Sequence, residues 1–211
     1  MKAISTATVR IVLAFMAHTA LTESTSSPKV AQKLTTFGDA TTSSYFELVA
    51  VNYAYPFHLE KVQGTGDAIY IGGNSSHYCP LESEPENPCP NTAQTDFVLS
   101  GGSLAMGAEV PGGQACYIDP DAFTLNYTVP HSGYIPIGAI TTGWWVRQDS
   151  PFFYELHYDL GIYACPTINA TVLPWALFAV DQTVNATVPA ECAPLQLILR
   201  NATGPDAWEY L

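Results

Sequence analysis

Hydrophobic positions along this 211-residue chain recur at a period of two, while the 3.6-residue period of an amphipathic helix is hard to find. The run Tyr45-Phe46-Glu47-Leu48-Val49-Ala50-Val51-Asn52-Tyr53 is apolar on both alternating faces, which predicts a central strand covered from two sides. Further strands are predicted at Ala68–Ile71, Asp96–Leu99, Gln114–Ile118, Phe123–Val129, Phe152–Tyr158, Gly161–Ala164, Trp175–Val180 and Leu195–Leu199. The clearest alternation sets Phe123, Leu125, Tyr127 and Val129 on one face and Thr124, Asn126 and Thr128 on the other, toward solvent. Phe152, Tyr154, Leu156 and Tyr158 likewise share a face, opposite Phe153, Glu155, His157 and Asp159. Between these segments stand residues suited to tight or positive-φ turns, at Gly64-Thr65-Gly66-Asp67, Gly72-Gly73-Asn74, Pro111-Gly112-Gly113 and Asp119-Pro120-Asp121. The rhythm is that of an all-β antiparallel domain. A β-sandwich is the first expectation and a closed β-barrel the alternative.

The first residues break this pattern. Lys2 and Arg10 precede the apolar stretch Ile11 to Ala17 and then small residues, as in a signal peptide, and Ala20 three positions before a cut after Thr22 gives a leader of residues 1–22. The stretch is too short to span a bilayer and no later one is long enough, so no transmembrane anchor is expected. Residues 23–43 are dominated by Ser and Thr with almost no large apolar side chains, and read as a flexible arm. Residues 44–211 then form one folded domain, with 47% hydrophobic and 12% charged residues in the whole chain, a balance that fits a packed core. The net charge of −12, with only 7 Lys and Arg, leaves too few cations to neutralise phosphates, so a nucleic-acid partner is excluded from the expectation.

Secretion also frames the cysteines and asparagines. Five cysteines in an oxidising compartment imply disulfides with one thiol left over. Cys79 and Cys89 bracket a loop rich in Pro and Glu that cannot pack alone, and a local bridge between them is the economical pairing. Cys165 with Cys192 is the second. The chain-entropy contributions are about 3 and about 3.5 kcal/mol respectively. Cys116 remains, on the same strand face as Gln114 and Ile118, and reads as a buried inert thiol. Asn74, Asn126, Asn169, Asn185 and Asn201 each begin an Asn-x-Ser/Thr acceptor. Only eight Asn occur, and chance would place about one of them in such a triplet, so these read as glycan acceptors.

Catalytic patterns are weak by comparison. Asp119, Asp121, Glu155 and Asp159 could supply a glycosidase-like carboxylate pair, but Asp119-Pro120-Asp121 is more simply a turn whose side chain bonds backbone N–H groups. His58, His77, His131 and His157 stand singly without metal-ligand spacing, so no metal site and no cofactor are expected. Trp144 and Trp145 could offer an aromatic surface to sugar rings, at most one of them on a given face, with core packing as the plainer use.

The segments Ala68-Ile69-Tyr70-Ile71-Gly72-Gly73, Tyr78-Cys79-Pro80, Pro88-Cys89-Pro90, Val110-Pro111-Gly112-Gly113-Gln114, His131-Ser132-Gly133-Tyr134-Ile135-Pro136 and Tyr163-Ala164-Cys165-Pro166 together resemble the PhiA family over roughly residues 44 to 200. These are secreted cell-wall proteins of filamentous ascomycetes, associated with phialide and conidium development and including IgE-binding allergens. The resemblance matches Cys79, Cys89, Cys165 and Cys192 but not Cys116, and its motifs are turns and disulfide positions that carry no catalytic role. It implies a non-catalytic structural glycoprotein of the cell wall, with wall polysaccharide or wall proteins as partners. A secreted carbohydrate-binding or host-interacting protein is the alternative, and a glycan hydrolase the third reading.

Overall fold

The doubly apolar run near residue 46 becomes β1 (Phe46–Val51), a strand hydrogen-bonded on both sides. It pairs along its whole length with β14 (Gln196–Asn201), from Phe46↔Asn201 to Val51↔Gln196. On its other side it meets β5 (Asp96–Ser100) through Phe46↔Phe97, and Val49 makes a single bridge to Lys61. A computed structural model describes residues 45–79, 94–150, 152–180, 188–205 and 207–211, with the Asp149 and Ser150 side chains left aside. The leader at 1–22, the arm at 23–43, Cys89, Asn185 and the acidic loop from Leu81 to Asn91 lie outside the described residues.

Around β1 a first sheet runs β9 (Trp144–Ser150), β10 (Phe153–Tyr158), β14, β1, β5, β6 (Ser103–Met106). The second half contains β7 (Gln114–Ile118), β8 (Leu125–Tyr127), β3 (Ala68–Ile71), β12 (Trp175–Ala179), β11 (Ile162–Pro166) and β13 (Ala193–Pro194), with β2 (Val62–Thr65) along the free side of β3. One strand joins the halves: β7 pairs with β6 at Ala105↔Ala115 and Met106↔Gln114, then leaves it to pair with β8 from Cys116↔Tyr127 to Ile118↔Leu125. Every strand pairing is antiparallel and no helix occurs among the described residues. The end strands β9 and β13 do not meet, so the sheet folds over as a sandwich and does not close into a barrel. A separate ribbon pairs β4 (His77–Tyr78) with β15 (Glu209–Tyr210).

Alternation decides which side chains fill the space between the halves. Leu48, Ala50, Leu156, Leu197, Ile69, Ile71, Leu125, Tyr127, Cys116 and Leu177 all point into one buried cluster. Trp144 and Trp175 are its largest members, and Trp175 holds the loop after β1 through an edge contact with Phe57 at 4.9 Å, with Tyr55 stacked on Phe57 at 5.4 Å. Each such side chain removed from water contributes about 1.5–3 kcal/mol, so these rings anchor the sandwich. Gly64 lies where β2 passes over this core: a Cβ there would sit 2.5 Å from the Met106 methyl and 3.3 Å from the Tyr127 ring. A side chain at this position would therefore require the Met106 methyl to shift.

Two local expectations fail for identifiable reasons. The strand predicted over 123–129 shrinks to Leu125–Tyr127, because the Phe123 N–H bonds back to the Asp119 carbonyl and Phe123 takes φ 57° as the last residue of a turn. Val129 lies past the strand and is 45% exposed rather than facing the core. Phe152, expected to share a strand face with Tyr154, Leu156 and Tyr158, precedes β10 and is 92% exposed. β2, β4, β6, β9, β13 and β15 escape prediction: all but β9 are only two to four residues long, and β9 places Trp on both faces.

Candidate functional site

Three groups of side chains could carry chemistry, and the structure sorts them differently. The first is the thiols and disulfides. Cys165 and Cys192 are bonded, joining β11 to the turn before β13, and Cys79 is disulfide-bonded as well. Cys116 is free and 1% exposed, with its sulfur 3.8 Å from that of Met106, and burial pushes its pKa far above the ordinary thiol range. A thiol held neutral in an apolar core is an inert packing residue.

The second group is the carboxylates. Asp119 Oδ1 accepts hydrogen bonds from the Asp121 N–H at 2.9 Å and the Ala122 N–H at 2.7 Å, the turn role expected of it. Glu155 belongs to β10 on the outer face of the first sheet, 5% exposed, with Oε2 3.6 Å from His157 Nε2 and 3.4 Å from Gln196 Nε2. The turn and the β10 carboxylate thus occupy different elements and each is engaged by its own neighbours. Among the described residues no group of three or more His, Cys, Asp or Glu side chains is placed to hold a metal ion. A cleft of about 200 Å³ opens between the Asp119 turn and the end of β10, lined by Ile118, Phe123, Ile140, Tyr158 and Ala179. It is smaller than the roughly 300–1,000 Å³ of ordinary ligand pockets.

The third group is the aromatic surface. Trp144 and Trp145 point to opposite faces of β9, as adjacent strand residues must. Trp144 is 1% exposed and packs on Tyr158 at 4.7 Å, so the core takes it and a sugar contact at Trp144 is ruled out by its burial. Trp145 lies half-buried on the outer face, stacked on His157 at 4.4 Å with ring planes 14° apart, and the Arg147 guanidinium carbon is 5.9 Å from its ring. The register explains this ladder: His157 is directly opposite Trp145 and Glu155 directly opposite Arg147. Together they form a patch on the end strand of the sheet, with an aromatic surface, a cation and a buried carboxylate behind it.

The second sheet has an aromatic outer face that the sequence reading did not single out. Tyr117 is opposite Asn126, Asn126 opposite Ala68, and Tyr70 follows on the same face as Ala68. Burial raises the Tyr117 phenol above its ordinary range; a hydrogen bond from the Asn126 side chain opposes this, and Asp119, Asp67 and Tyr134 add to it. Of the expected glycan acceptors, Asn74, Asn169 and Asn201 are exposed and Asn126 is half-buried on this face.

Gln114, which shares the inward face of β7 with Cys116 and Ile118, is a clamp. Fully buried, it donates from Nε2 to the carbonyls of Thr128 and Tyr210, both at 3.0 Å, and accepts from the Tyr210 N–H at 2.8 Å. The Tyr210 hydroxyl in turn accepts from the Asp96 N–H at 3.0 Å. A polar residue on the core face of a strand demands partners, and that was the available signal.

Residues 46–211, every strand described above, match the model of the PhiA-like secreted protein family. The chain belongs to that family. Membership makes it a secreted fungal protein, in keeping with a relative from Arthroderma benhamiae described as an uncharacterized secreted protein, 28% identical over 159 residues that cover 71% of this chain and 76% of that one. No solved structure matches the chain. Within this PhiA-like domain no helix among the described residues is long and apolar enough to cross a membrane. Gly72 and Gly73 after β3, and Gly112 and Gly113 before β7, take positive φ at the corners of the sandwich.

Proposed function

We propose that this chain is a non-catalytic structural glycoprotein of the fungal cell wall, held there by contacts with wall polysaccharide or wall proteins and contributing to conidium-bearing structures. The observation that carries the reading is the use of its reactive side chains as scaffold within a PhiA-like domain. Cys116 is a core thiol, Asp119 closes a turn, and Glu155 is held by His157 and Gln196. The patch of Trp145, Arg147 and His157 is the retention surface, since an indole ring and a cation suit the apolar faces and hydroxyls of sugar rings. Retention by many weak contacts requires no cleft.

The test is fractionation of the producing fungus into medium, detergent-extractable wall and covalently bound wall, with mass spectrometry of each, for the native chain and for Trp145→Ala. Enrichment in the wall that falls with the substitution is expected. Recovery from the medium alone would sink the wall assignment and favour a diffusible carbohydrate-binding or host-interacting protein. Turnover of a wall glycan, lost in Glu155→Ala or Asp159→Ala, would overturn the non-catalytic reading.

A further inference from the structure

We propose that Asn126 carries an N-linked glycan whose first sugars lie on Tyr117, Tyr134 and Tyr70, so that the chain's own carbohydrate covers the aromatic outer face of the second sheet. Asn126-Tyr127-Thr128 is an acceptor triplet in β8. Leu125 and Tyr127 are buried at 1% and 0% exposure, so the Asn126 side chain between them points outward. There it faces Tyr117 across one strand pairing and Ala68 across the other, and Tyr70 is the diagonal neighbour at about 7–8 Å. Tyr134, 73% exposed, lies close enough to Tyr117 to act on its phenol.

The central outward positions of this face, Ala68, Tyr70, Asn126, Tyr117, Ala176 and Phe178, are uncharged. All six are half-buried, and a group that lies over them has to be apolar on one side and hydrated on the other. A pyranose ring has that character, and attachment at Asn126 delivers it to the middle of the face. The Asn126 Oδ1 is buried with no hydrogen-bond partner among the described residues, and an attached sugar brings hydroxyl and acetamido donors within its reach.

Folding fixes the order of events. Thr128 is 4% exposed and its hydroxyl accepts from the Ala115 N–H at 3.1 Å, so pairing of β7 with β8 withdraws the triplet. Transfer therefore precedes folding: Asn126 Nδ2 bonds the anomeric carbon of a lipid-diphosphate-linked oligosaccharide, that carbon's bond to the diphosphate oxygen breaks, and one amide proton leaves. The amide keeps its second N–H for the hydrogen bond to Tyr117.

The experiment uses the full chain secreted from a glycosylating fungal host, with occupancy read by glycopeptide mass spectrometry and tyrosine access read by hydroxyl-radical labelling. Asn126 is expected to be occupied, and labelling of Tyr117 and Tyr134 to rise several-fold in Asn126→Gln. Should that variant not be secreted, endoglycosidase trimming of the native chain reads the same contact, since removal of the outer sugars must raise Tyr134 labelling. An unmodified Asn126 in the secreted protein, or labelling that does not change on trimming, overturns the proposal.

Discussion

Replacing Gln114 by Leu keeps the volume of the side chain and removes its three hydrogen bonds, and the cost follows from what those bonds hold. The Tyr210 N–H, the Tyr210 carbonyl and the Thr128 carbonyl lose their side-chain partner inside the fold. A buried group left unsatisfied costs about 1–3 kcal/mol, which summed over three gives about 3–9 kcal/mol. The upper part of that range is unreachable, because β15 can come away from the core and let water satisfy its backbone. Undocking forfeits the burial of Tyr210, about 1.5–3 kcal/mol, and of Ala207 beside it. The expected loss is therefore about 3–5 kcal/mol, a large share of the roughly 5–15 kcal/mol that holds a domain folded. Urea unfolding followed by tryptophan fluorescence measures it, and carboxypeptidase release of Leu211 and Tyr210 tells undocking from global loss. In Gln114→Glu a carboxylate would face two carbonyls, so its folded pKa would rise above the roughly 4.3 of the unfolded chain. The stability of that variant is complete below the unfolded pKa and declines as pH rises through the folded one, so it should recover on acidification while Gln114→Leu does not. A loss under about 1 kcal/mol for Gln114→Leu, with the C-terminal residues still resistant to carboxypeptidase, would refute the clamp.

Trp144→Ala should cost about 3–5 kcal/mol in urea unfolding and Trp145→Ala less than about 1 kcal/mol, because only the first ring is in the core. Cys116 should resist alkylation in the native chain and react once it is unfolded; prompt native labelling would contradict its burial. Burial raises the pKa of Cys116, Tyr117 and Tyr127 in the folded state, so the stability each contributes is full below its unfolded pKa and declines above it. Urea midpoints should therefore fall from about pH 8.5 upward, and less steeply in Cys116→Val. Loss of the Cys165–Cys192 bridge in Cys165→Ser should cost about 3.5 kcal/mol, with a shift of the thermal midpoint as the reading.

The all-β class and most of the strands are legible in the alternation, because it is a local property that a strand must show wherever one of its faces is buried. β1, β3 and β7 stand where the pattern placed them, and the Asp119 turn closes through the side chain expected to close it. The inert Cys116 was legible for the same reason, as a small residue on an inward-facing position. Long-range packing settled the choice between sandwich and barrel, since closure depends on whether end strands far apart in the chain meet. It also decided that Trp144 is core and Trp145 surface, a choice set by which side of β9 the rest of the molecule covers. The Gln114 clamp, joining residues 96 positions apart, and the tyrosines gathered around Asn126 from separate strands were beyond a local pattern, because the partners become neighbours only when the sheet folds over at β7.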